Sequence, residues 1–106
     1  MTATPTPLAE MSKGDRRGLS IAPVIGFKVS DYDCCSTEAW ILVGPSLHGD
    51  TLGVEVVEAR CHSYHYTEWE VIDGVDVVSL ADAVAWVDVF AANESIGHLP
   101  CRCDWL

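Results

Sequence analysis

LGVEVVEARCHSYHYTEWEVIDGVDVV, running from Leu52 to Val78, holds the strands around which the rest of the chain is organised. Val, Tyr, Thr, Trp and Ile dominate it, and these side chains suit a pleated, half-buried surface. Leu52, Val54 and Val56 fall on one face of an extended chain, whereas Val57, Ala59 and Cys61 fall on the other. A strand over Leu52–Arg60 therefore calls for a bulge or twist near Val56–Val57. Ser63–Ile72, with Tyr64, Tyr66, Thr67, Trp69, Val71 and Ile72, reads as the next strand. Cys61-His62-Ser63 is a weak turn between the two, and one long bent strand is the alternative. Asp73-Gly74 is a two-residue hairpin signal, which predicts a short further strand over Val75–Val78.

Upstream, Ile25, Phe27 and Val29 alternate with Gly26, Lys28 and Ser30, so Ile21–Ser30 reads as a half-buried strand closed by Asp31-Tyr32-Asp33. Glu38–Val43 is apolar on both faces, which predicts a central strand. Gly44-Pro45-Ser46 and His48-Gly49-Asp50 mark the loop after it. Downstream, Ser79-Leu80-Ala81-Asp82 has the pattern of a helix N-cap. Leu80, Val84, Val87 and Ala91 then share one helical face, and a second stripe holds Asp82, Trp86, Val89 and Asn93. The helix ends over 93–97. The expected architecture is α+β, an antiparallel meander of four to five strands with one main helix packed on it.

Residues 1–18 read as a flexible basic tail of Thr, Pro, Lys and Arg, and residues 19–106 as a single acidic domain. The 106-residue length fits one domain, and 49% hydrophobic residues with four Trp, three Tyr and two Phe point to a folded chain. The N-terminus lacks an apolar stretch behind a positive start, and no apolar run approaches the ~20 residues of a membrane span, so a cytoplasmic protein is expected. Five cysteines, an odd number, agree with reduced thiols in that compartment.

Charge is the strongest functional signal. Residues 1–28 balance to +2, whereas residues 29–106 carry fourteen Asp and Glu against Arg60 and Arg102 alone. From Cys61 to Cys101 there are seven carboxylates and no Lys or Arg. Such a chain repels nucleic acid and anionic membranes and attracts basic partners. Ordinary acidic surfaces intersperse both signs, because an uncompensated field weakens the fold. A field tolerated at that cost suggests a use.

Other chemistry is weaker. The loop Gly44–Thr51 imitates the spacing of a phosphate-binding loop, but Asp50 stands where the lysine is needed, so a surface turn is expected. Cys34 and Cys35 sit among Asp31, Asp33 and Glu38, which disfavours the thiolate a nucleophile requires. Glu68 and Glu70 share a strand face, as a solvated edge rather than an acid–base pair. Cys61, His65, His98, Cys101 and Cys103 form an alternative zinc set without the usual Cys-x2-Cys spacing, for a metal-stabilised structural domain. A small-ligand binder or enzyme with a pocket between sheet and helix is a further alternative.

The leading expectation is a non-enzymatic interaction module without a cofactor. Its partner is a basic protein, one that binds nucleic acid, and a homodimer is compatible with the helix's second stripe. The expected contact residues are Asp31, Asp33, Glu55, Glu68, Glu70, Asp73, Asp76 and Asp82, with Trp69 and Trp86 as aromatic anchors. In charge and size the chain is analogous to the small acidic inhibitors that phages and mobile elements direct against host nucleases and defence proteins.

Overall fold

A computed structural model describes residues 4–11, 16–31, 38–63 and 66–92. Four strands, β1 (Ile25–Asp31), β2 (Glu38–Pro45), β3 (Leu52–Ser63) and β4 (Tyr66–Val77), pair antiparallel in the order β1-β2-β3-β4. One helix, α1 (Leu80–Ala92), follows. The α+β meander expected from the pattern is the fold.

Apolar residues of both parities in β2 and β3 are buried because both faces of the sheet are covered. On one face, Phe27, Ala39, Ile41, Val43, Val54 and Val56 pack with Ala83 and Val87 of α1. On the other, Trp40, Leu42, Val57, Ala59 and Trp69 pack with Met11, Leu19 and Ile21. Each fully buried large side chain contributes about 1.5–3 kcal/mol through its removal from water. The molecule is thus three-layered: α1, sheet, and an N-terminal arm.

Within the stretch read as a tail, Leu8 and Met11 pack against the sheet. Leu8–Glu10 forms a single 3-10 turn, and Met11 beyond it is 6% exposed. The Thr6 N–H donates to the Gly26 carbonyl at 2.7 Å, and Lys28 N–H to Thr6 Oγ1 at 3.1 Å. The arm thereby runs beside β1. Leu8 and Met11, in a Thr- and Pro-rich stretch, join Leu19 and Ile21 in seating it on a face that α1 leaves uncovered.

The strands themselves differ from expectation in three places. Val54 and Val56 face α1 while Val57 and Ala59 face the arm, so β3 alternates regularly and needs no change of parity. The bulge does fall opposite Val56–Val57, but the extra residue is Ile72 of β4: Val56 pairs with Asp73 and Val57 with Val71. Second, Cys61-His62-Ser63 is not a turn, since β3 continues to Ser63. Third, Asp73-Gly74 is not a hairpin, and Val75–Val77 belong to β4 rather than to a separate strand. β3 is long enough to pair with β4 as far as Leu52↔Val77, which holds Gly74 inside the ladder opposite Glu55. Glycine is used there for close approach: an added Cβ would meet the Val54 carbonyl oxygen at 3.0 Å.

Ser79 caps α1 as its sequence predicts. Its Oγ accepts the Asp82 N–H at 3.2 Å, and its carbonyl accepts the Ala83 N–H at 3.1 Å. The buried face is rotated from the expected one. Ala83 and Val87 point inward, Trp86 and Phe90 stack beside them with ring centroids 5.1 Å apart, and Leu80 is 48% exposed. The small Ala83 lets the helix approach the sheet, and the two aromatic rings fill the flank. Among the described residues no helix is long and apolar enough to cross a membrane.

Candidate acidic interaction surface

The strand order leaves β4 at an edge, paired with β3 alone among the described residues. The opposite edge, β1, is partly covered by the arm at Thr6. β4 carries Glu68, Glu70, Asp73 and Asp76, of which the last three are exposed and Glu68 is half-buried. Register divides them between the faces of the sheet. Glu70 lies opposite Glu58, and Asp73 opposite Val56, on the α1 side; Asp76 lies opposite Gly53 on the arm side. Like charges directly across a ladder destabilise it. A bulged, carboxylate-bearing edge also resists pairing with another strand edge of the same kind. Asp73 adds to this, since its Oδ1 accepts the Gly74 N–H at 2.8 Å.

Below Asp76 the surface opens into a groove of about 340 Å³ lined by Ser20, Ser46, Gly53, Glu55, Gly74 and Asp76, among others. Alternation along the strand predicts a Glu55 that projects from the sheet; it is 8% exposed instead. Its Oε1 accepts the Ser20 backbone N–H at 2.8 Å, which fastens the returning arm to β3. Among the described residues Oε2 has no hydrogen-bond partner. Asp76 stands diagonally across the ladder from Glu55, because Glu55 pairs with Gly74 and Gly53 pairs with Asp76. Two glycines, Gly53 and Gly74, are among the residues that line the groove. A Cβ at Gly53 would clash with the Ile21 side chain, and one at Gly74 would crowd the Val54 carbonyl oxygen.

The aromatic anchors are placed differently from expectation. Trp69 is 1% exposed in the arm-side core, so it holds the fold and offers no contact surface. Trp86 is half-buried against the α1-side core and stacked on Phe90, whereas Val89 of the same stripe is 64% exposed. Asp82 is exposed in the first turn of α1, where a negative charge favours the helix dipole. Asp31 ends β1 in register with Glu38. Asp33 lies outside the described residues.

Among the described residues no three His, Cys, Asp or Glu side chains gather into a metal-binding group. Cys61 belongs to β3, in register with Thr67; His65, His98, Cys101 and Cys103 lie outside the described residues. Of the expected Gly44–Thr51 loop, Gly44 and Pro45 belong to β2, paired with Gly53 and Leu52, and the remaining connection to β3 is closed by Ser46 N–H to the Thr51 carbonyl at 2.9 Å. That connection, residues 46–51, is a surface turn.

The sequence points to Glu55 and Asp76 but not to the groove that joins them, nor to the parts of Ser20, Ser46, Gly53 and Gly74 in it. These residues meet only through strand register and through the return of the arm, and neither leaves a local motif. No protein-family model, curated protein or solved structure gives a significant match to the chain.

Proposed function

We propose that this protein is a non-enzymatic interaction module that presents carboxylates to a basic protein, one whose groove otherwise holds nucleic acid. The observation that carries this reading is the edge strand β4, where Glu68, Glu70, Asp73 and Asp76 follow one another within twelve residues that contain no Lys or Arg. Asp82 and Asp88 on α1 extend the same sign. Carboxylates so placed stand in for phosphates, and long-range attraction speeds encounter with a cationic groove. The field disfavours direct contact with nucleic acid or an anionic membrane. It also disfavours a second copy docked edge to edge, since two β4 strands would bring like charges together. An inhibitor of a host nuclease or defence protein is the form of this reading that charge and size favour.

Competition tests it. A basic protein captured by this chain should release its nucleic acid as the chain is added. A captured protein that keeps its nucleic acid fully bound at saturation would overturn the mimicry.

A further inference from the structure

We propose that the groove over Gly53 and Gly74 is a receptor for one basic side chain of the partner, a lysine ammonium or an arginine guanidinium held between Glu55 and Asp76. This rests on the reading of the protein as a module for a basic partner, and it names where on the acidic surface a single residue is recognised.

The decisive group is Glu55. Its residue is 8% exposed, yet the described residues supply one hydrogen-bond donor, the Ser20 N–H on Oε1. A carboxylate offers about four acceptor positions across its two oxygens. Burying such a group is unfavourable unless it is paired and hydrogen-bonded. Among the described residues Oε2 has no partner, and Glu55 lines an open groove that a donor can enter from outside. Asp76 is exposed at the mouth of that groove and places a second negative charge there.

The chemistry of the walls selects the ligand. Two carboxylates and the hydroxyl-bearing Ser20 and Ser46 accept hydrogen bonds, which suits a cation rich in N–H donors. A volume of about 340 Å³ accommodates the end of one long side chain. A tightly bound calcium ion fits less well, since it takes 6–8 oxygen ligands and commonly several carboxylates. No group of three acidic, His or Cys side chains forms here among the described residues. Gly53 and Gly74 belong to the same lining, and a Cβ would clash with the Ile21 side chain at the first and crowd the Val54 carbonyl oxygen at the second.

The experiment is an amide-resolved NMR titration of the full chain with n-butylammonium and n-butylguanidinium. Tetramethylammonium serves as a cation without N–H donors, n-butanol as a neutral chain, and Ca²⁺ alone as the metal arm. The expected result is saturable shifts confined to the amides of Ser20, Gly53, Gly74 and their neighbours, with millimolar affinity for the two N–H cations. Asp76→Asn should weaken that binding about tenfold, the scale of one lost charge-assisted hydrogen bond. Glu55→Gln should weaken it as well, provided its spectrum remains that of the folded protein. Asp76 is exposed, so Asp76→Asn decides the matter even where Glu55→Gln does not fold. Equal shifts with tetramethylammonium, shifts spread over all the carboxylates, tighter binding of Ca²⁺ than of either N–H cation, or indifference to Asp76→Asn would each overturn the proposal. The wider reading fails separately. A basic partner that binds Asp76→Asn as tightly as the parent removes the groove and leaves the acidic module standing, whereas localised binding of the small cations by a chain that engages no basic protein retains the groove's chemistry and removes the module.

Discussion

The Glu55 carboxylate accepts the backbone N–H of Ser20 at 2.8 Å, joining positions thirty-five apart in sequence. This bond ties the arm to the centre of the sheet beside the buried Leu19 and Ile21. A hydrogen bond to a charged group contributes about 1.5–3 kcal/mol, offset here by the cost of burying the charge. Glu55→Ala is therefore expected to lower unfolding free energy by about 1–2 kcal/mol in urea denaturation. A change below about 0.3 kcal/mol would show that the tie has no weight.

The arm is part of the core. Met11→Ala should cost about 2–5 kcal/mol and Trp69→Ala about 3–5 kcal/mol, both read as a lower denaturation midpoint. If residues 1–18 were a loose tail, Met11→Ala would leave the midpoint unchanged. Trp69→Ala tests the opposite error: an exposed anchor would lower partner affinity without lowering stability.

Ser79 Oγ meets the Asp82 N–H at 3.2 Å at the start of α1. Ser79→Ala should destabilise by about 1 kcal/mol, and Ser79→Gly by only a few tenths. Equal effects of the two substitutions would remove the cap from the account. Thermal unfolding followed by circular dichroism measures the difference.

What the sequence conveyed, and what it did not, follows from the range of the interactions. The alternation in β1, the two-faced apolar run in β2 and the Ser79 cap are local signals, and each is found in the structure. Asp73-Gly74 misleads because the same dipeptide serves a turn or a close approach. Which of the two it serves depends on how far β3 pairs, through Leu52↔Val77. Trp69 and Glu55 mislead for a related reason. The face on which they would meet solvent is covered by an arm whose apolar contacts, Leu8, Met11, Leu19 and Ile21, are scattered through a polar stretch. The carboxylates of β4 are legible as a charge pattern, but their division between the two faces is a matter of register. The groove between Glu55 and Asp76 requires both register and the returning arm.

Charge reversal on β4 separates steering from stability. Asp73 and Asp76 are exposed. Asp73→Lys with Asp76→Lys should leave the unfolding midpoint close to that of the parent while slowing association with a basic partner by about tenfold or more at low salt. Stopped-flow association kinetics provides the reading. An unchanged association rate would place the contact elsewhere.

The most direct measurement is the affinity of the chain for the basic protein it captures from its native host, with that partner purified and titrated from about 50 to 500 mM salt. Recognition through the carboxylates of β4 and the groove predicts a steep fall in affinity over this range, and displacement of the chain by nucleic acid. Equal affinity at both ends of the range would contradict the account, since screening would then have removed the attraction without removing the complex.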